Sequence, residues 1–111
     1  MNYYTVLNIE SGKPRVEGAK QLLTGQLAMA RRSGVKVIKL IHGYGSSGKG
    51  GALRTELRKM LQGMHGLATI KGEDFGIFDA ATRELLGKYP DLRRDSDLNR
   101  SNLGITIIVL P

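Results

Sequence analysis

The sequence has no cysteine and no tryptophan, and four Tyr and two Phe supply all its aromatic rings. Without cysteine there can be no disulfide, no thiolate metal site and no cysteine nucleophile. With so few rings, the core must rest on Leu, Ile, Val, Ala and Met. No run approaches the roughly 20 apolar residues that a membrane-spanning helix needs. The opening stretch, Met1 to Glu10, lacks a charged segment leading into a long apolar core, so no secretory signal is expected. The 111 residues suffice for one hydrophobic core and not for two, so a single domain spanning 1–111, cytoplasmic and not membrane-bound, is expected.

Acidic residues are also scarce: 10 Asp and Glu stand against 17 Lys and Arg, for a formal net charge of +7. The imbalance is local. From Gly18 to Gly72 there are ten bases (Lys20, Arg31, Arg32, Lys36, Lys39, Lys49, Arg54, Arg58, Lys59 and Lys71) and one acid, Glu56. From Glu73 to Asp97 the balance reverses, with seven acids against four bases. A concentrated basic segment commonly faces a polyanion such as nucleic acid, although the same residues can simply form the solvated faces of helices.

Tyr3 to Ile9 is rich in aromatic and β-branched residues and predicts a strand. Pro14 suits the start of a helix, and Val16, Ala19, Leu23, Leu27 and Ala30 fall on one helical stripe that Gly34 ends. Val35 to Ile41 predicts an interior strand buried on most of both faces, interrupted by Lys36 and Lys39. Leu53, Leu57, Met60, Leu61 and Met64 mark a second amphipathic helix. Ala68 to Lys71 predicts a third strand, and Gly76 to Phe78 a weaker extended piece. Asp79 is placed to cap a short helix through Lys88, which Pro90 stops. Residues 91–102 form a polar loop, and Ile105 to Leu110 is the clearest strand. Met29, Met60 and Met64 are expected as core filler. The β-α-β openings imply parallel pairing with a right-handed crossover and helices packed on a small sheet.

The chemistry centres on the segment from Ile41 to Arg54, where a strand runs into a glycine-rich turn and then a helix. Such a place gathers backbone N–H groups at the positive end of a helix and suits phosphate, with Lys49 and Arg54 strengthening it. Gly43 to Lys49 matches the core of a nucleoside-triphosphate loop, but Gly50 stands where a magnesium-holding Ser or Thr is required. Gly43, Gly45 and Gly48 also satisfy a dinucleotide fingerprint. That fingerprint normally follows the first strand and is answered by an acid about 20 residues on, and neither condition holds here.

Ile41-His42-Gly43-Tyr44-Gly45 resembles the H-G-x-G signature of the Smr (small MutS-related) domain family, in its setting between strand and helix. The tail Ser47 to Arg54 resembles the basic, glycine-rich continuation, and Gly104-Ile105-Thr106 the closing Gly-x-Thr strand. The resemblance covers almost the whole chain, least closely over residues 72–100. It implies a two-layer β-α-β-α-β(α)β sandwich with a small mixed sheet, similar to the C-terminal domain of translation initiation factor three. It also implies binding to DNA or RNA and, in some members, endonuclease cleavage.

Nuclease members carry L-D-x-H at the end of the first strand, where this chain has Leu7-Asn8-Ile9-Glu10. The Asp and the His are both replaced. Asn8 cannot act as a base, whereas Glu10 can act as a base or a metal ligand, with His42 across the adjacent strand. The expectation is therefore a nucleic-acid-binding domain with nuclease activity lost or reduced, gripping phosphate through Gly43, Tyr44, Gly45, Lys49, Arg54 and Arg58. Tyr44 offers a ring either for base stacking or for packing back on the helix, and Arg31, Arg32, Lys36 and Lys39 either extend the phosphate-tracking surface or simply keep the protein soluble. His42 either takes part in acid–base chemistry or hydrogen-bonds the turn and holds it open. The alternatives are an endonuclease using Glu10 and His42, with or without a divalent metal such as Mg²⁺, and a protein-interaction module whose acidic 73–97 region docks a basic partner.

Overall fold

The computed structural model describes residues 3–12, 14–44 and 50–111. Four strands and three α-helices alternate along the chain: β1 Tyr4–Asn8, α1 Val16–Ser33, β2 Val37–Ile41, α2 Gly50–Gln62, β3 Ala68–Lys71, α3 Ala80–Lys88 and β4 Ile105–Val109. Short 3₁₀ helices lie at Glu10–Gly12, Gly72–Asp74 and Pro90–Arg94. The sheet order is β1-β2-β4-β3. β1 and β2 are parallel, and β4 runs antiparallel to both of its neighbours, so the sheet is mixed. Among the described residues no helix is long and apolar enough to cross a membrane.

The apolar stripes explain the packing. Ala19, Leu23, Leu27 and Ala30 of α1 and Leu53, Leu57 and Leu61 of α2 are buried against Ile38, Leu40 and Ile108 on one face of the sheet. On the other face, Val37, Ile105, Ile107 and Ile70 meet Phe75, Leu85, Leu86 and Leu92. The central strands β2 and β4 thus lose water on both sides, which is why they read as nearly continuous apolar runs. Gly34 ends α1 with φ +80°. Asp79 caps α3 as its position implied, its carboxylate accepting from Thr82 N.

Three expectations change. Gly76 to Phe78 forms a turn instead of an extended piece, because Asp79 N already donates back to Gly76 O. Met29 is exposed, whereas Met60 and Met64 do pack on the core. Lys39 is no surface charge. It lies on the β2 face that residues 72–104 cover, and only 8% of its side chain is exposed. Its ammonium meets Asp95 Oδ1 at 2.6 Å and Asp97 Oδ2 at 2.7 Å, while Tyr4 donates its hydroxyl to Asp95 Oδ2 at 2.9 Å. Burial works against the Lys39 cation, but the hydrogen bonds to Asp95 and Asp97 outweigh it and hold the pKa above the ordinary lysine value. Burial and the Asp95 hydrogen bond push the Tyr4 hydroxyl up to about 12.

Removing one member of such a group strands the others without compensation. Lys39→Met should therefore cost about 3 kcal/mol of stability at pH 7, measured by urea unfolding followed by circular dichroism. Lys59→Met, at an exposed position of α2, should stay within about 0.5 kcal/mol. Equal midpoints for the two variants would show that the Lys39 cluster adds no stability.

Candidate functional site

β1 and β2 run in register, Asn8 opposite Ile41, and so end at the same edge of the sheet. Ile9 N extends the pairing to Ile41 O at 2.9 Å, which brings Glu10 beside the turn that follows β2. There Gly43 adopts φ +79°, and a Cβ added to it would run into the Glu10 carboxylate. Glycine is favoured at position 43 by its backbone angle, and any side chain there would also have to displace the exposed Glu10 carboxylate. The carbonyl of Gly104, just before β4, accepts from both His42 N and Gly43 N at 3.0 Å. The turn is fastened to the sheet before the chain reaches Tyr44.

The His42 side chain is fully buried. Its Nδ1 lies 2.7 Å from Gly43 O, and its Nε2 lies 2.9 Å from Thr106 Oγ1. A carbonyl oxygen only accepts, so Nδ1 carries the proton. Burial, aided by the positive charges of Arg58 and Arg54 and opposed by the Gly43 hydrogen bond, lowers the His42 pKa to about 4. The neutral ring then offers Nε2 as an acceptor for the Thr106 hydroxyl.

Thr106 Oγ1 in turn accepts from Arg58 Nε at 2.9 Å. The rest of the Arg58 guanidinium is also engaged, by Glu73 through two bonds of 3.0 and 2.8 Å and by Ile105 O at 2.9 Å. Burial opposes the Glu73 carboxylate, but the Arg58 hydrogen bonds hold its pKa below the usual range. Every donor in this line points one way, from Arg58 to Thr106 to His42 to Gly43 O. A second line reaches the same turn from the Lys39 cluster. Asn102 donates to Asp97 Oδ1 at 2.9 Å, and Gly104 N donates to Asn102 Oδ1 at 2.8 Å.

The structure brings together Glu10, His42, Gly43, Tyr44 and the start of α2. Tyr44 is 55% exposed, with its ring edge beside Gly104. Arg54 is half-buried, one helical turn before Arg58. Arg58, expected to face phosphate, instead has its guanidinium engaged inside the protein. Gly45 and Lys49 lie outside the described residues. Arg31, Arg32 and Lys36 lie at the opposite end of β2 from His42, because α1 ends and β2 begins there. They do not extend the surface around the turn. Lys20 is answered by Glu17 and Glu56 at 3.6 and 3.5 Å.

Thr106, Glu73 and Asn102 are partners to which the sequence assigned no role at the turn; Thr106 figured only in the closing Gly-x-Thr strand. Thr106 carried a signal, as the lone hydroxyl inside an otherwise aliphatic strand. Glu73 carried another, as the first acid after the long basic stretch. Among the described residues no three His, Asp or Glu side chains stand together as metal ligands.

A His whose pKa is depressed on folding leaves the unfolded chain binding more protons between about pH 4 and 6.5. Stability is complete above this window and declines as pH falls through it. From pH 7 to pH 5 the loss should be about 2 kcal/mol. Urea titrations should show that decline in the parent protein and little of it in His42→Asn, which keeps a donor near the Nδ1 position but does not titrate. Glu73 and Asp97, both with depressed pKa values, lose their contributions only at lower pH. A parallel decline in both proteins would rule His42 out as the source.

A model of the Smr domain family matches residues 12–72, more than half of the chain. The crystal structure of the Smr domain of Thermus thermophilus MutS2 superposes with a TM-score of 0.58 at 18% sequence identity, covering 97% of this chain and 96% of that one. No curated protein sequence matches the chain. The fold is therefore shared with a known Smr domain, and the match over the first helix, the His42 turn and the second helix is direct: the chain belongs to the Smr domain family.

Proposed function

We propose that this Smr domain binds nucleic acid through phosphate at the end of β2, where the turn after His42 leads into α2, and that His42 holds this turn and moves no proton. The observation that carries the reading is the state of the imidazole: fully buried, with one nitrogen on Gly43 O and the other on Thr106. A ring so placed fixes the conformation of its loop. It offers no nitrogen to a water or a leaving group.

Several features support phosphate as the ligand. α2 begins at this edge and has no acid in its first turn, so its positive end is not neutralised from within the helix. Arg54 stands in the second turn, and its charge is felt at His42. Lys49 and Gly45 belong to the same proposed loop. Tyr44 presents an exposed ring beside it. Glu10 is the opposing charge, so phosphate approaches from the α2 side of the turn.

The hydrolytic alternative would use Glu10 as base or as ligand for a divalent metal such as Mg²⁺. Glu10 is exposed beside Gly43, but among the described residues no three His, Asp or Glu side chains stand together, and both nitrogens of His42 are engaged. These side chains do not form a ligand set for a divalent metal.

Salt separates these readings from a solvated basic surface, since each neutralised phosphate releases counterions. Fluorescence anisotropy against labelled DNA and RNA should give affinities that fall steeply with ionic strength. Arg54→Ala should weaken binding for all sequences alike and reduce the magnitude of the salt slope by about 1, with unfolding unchanged. Arg58→Ala should instead lower stability by about 2–3 kcal/mol, because it leaves Glu73 and Thr106 without their donor. Full affinity in Arg54→Ala would refute the loop assignment. Metal-dependent products on a denaturing gel, lost in Glu10→Ala, would establish the hydrolytic alternative.

A further inference from the structure

Phe78 is 92% exposed, the most exposed large apolar side chain among the described residues. It is not on a loose segment. Phe78 sits in the turn just before the α3 cap, and that turn is braced from three sides. Asp79 N donates to Gly76 O at 3.0 Å. Ile77 N donates to Asn99 Oδ1 at 2.9 Å, and Arg83 Nη1 donates to Ile77 O at 3.0 Å. A braced ring held in water has no packing role in the domain itself.

The ring borders an open groove of about 630 Å³, lined by residues that include Glu73, Asp74, Phe78, Asn99 and Ser101. This is within the usual size of small-molecule sites, about 300–1,000 Å³. A second depression of about 360 Å³ shares Ser101 and is otherwise lined by Tyr44, Arg100, Asn102, Leu103 and Asp97, whose charge Lys39 answers. The two depressions thus adjoin at Ser101, the exposed Phe78 ring lining the first and the exposed Tyr44 ring and Arg100 lining the second. Asn99 and Ser101, which flank Arg100, hold φ values of +64° and +52°. Such strained backbone in residues other than glycine concentrates at ligand sites.

Charge decides what the groove takes. Of the three acids that line it, Glu73 is matched by Arg58 and Asp79 caps α3, whereas Asp74 is exposed; a carboxylate there disfavours phosphate and accepts hydrogen bonds from the amino groups of bases. We propose that the Phe78 groove is a base-stacking site for an unpaired nucleotide. The base lies on the Phe78 ring with its amino-bearing edge toward Asp74. The backbone passes Arg100 toward Tyr44 and the phosphate site after His42. The ligand of this domain is accordingly single-stranded, with adenine, cytosine or guanine preferred over uracil at the Phe78 position. This inference rests on the phosphate-binding reading above and adds strandedness and base preference to it.

The chain has no Trp, so Phe78→Trp introduces a sole reporter at the site. The experiment titrates wild type, Phe78→Ala, Phe78→Trp and Arg54→Ala with labelled 12-nucleotide oligo(A), oligo(C) and oligo(U) RNA and with an RNA duplex. The single strands oligo(A) and oligo(C) should bind more tightly than oligo(U) or the duplex. Phe78→Ala should weaken oligo(A) binding about tenfold, as expected for one lost stacking contact, with an unchanged melting temperature. Phe78→Trp should keep the affinity and show quenched fluorescence on binding. If Arg54→Ala weakens binding while Phe78→Ala does not and Phe78→Trp is unquenched, the groove is not a base site, although the phosphate reading stands. If wild type binds none of the nucleic acids, both readings fall, and Phe78 becomes a candidate contact for a protein partner.

Discussion

The buried ammonium of Lys39 is the constraint from which much of this structure follows. A cation in the central strand of a sheet cannot leave water unaccompanied, because desolvation alone would disfavour its charged form. Its partners Asp95 and Asp97 come from a segment more than 50 residues away. That segment must therefore fold back across the second face of the sheet. Once it does, Asn102 and Gly104 are carried to the end of β2, where the Gly104 carbonyl takes the two N–H groups of His42 and Gly43. The geometry of the glycine turn is thus set partly by an ion cluster on the other side of β2.

This arrangement also changes the meaning of the charge imbalance. The basic and acidic halves of the sequence answer each other within one molecule. Lys39 is matched by Asp95 and Asp97, and Arg58 by Glu73, so part of the apparent basic patch is internal structure. Arg31, Arg32 and Lys36 gather at one end of the sheet and Arg54 at the other. Net charge taken from composition overstates what any one surface can present to a polyanion.

Much of the fold was legible in the chain. The stripe from Ala19 to Ala30, the Gly34 stop, the Asp79 cap and the aliphatic run after Gly104 each follow from local chemistry, and each recurs in the structure. The site was legible only in outline. The residues from His42 to Tyr44 announce themselves by glycine spacing, and the H-G-x-G resemblance places them. What the chain could not disclose were the contacts between distant segments. Whether Arg58 faces solvent or Glu73 depends on the path of residues 72–104, and so does the burial of Lys39. Gly76 to Phe78 read as a weak extended piece, with Asp79 as the cap of the helix after it. The bond from Asp79 N back to Gly76 decided otherwise.

The double acceptor at Gly104 has a consequence for how an anion can be held. Each residue has a single backbone N–H, and those of His42 and Gly43 both point inward to the same carbonyl. Neither remains for a ligand. A backbone cradle at this edge of the sheet must begin at Tyr44 or later, and the first glycine of the signature is then an architectural residue. It lets the chain turn tightly past Glu10 so that the groups that follow can face outward.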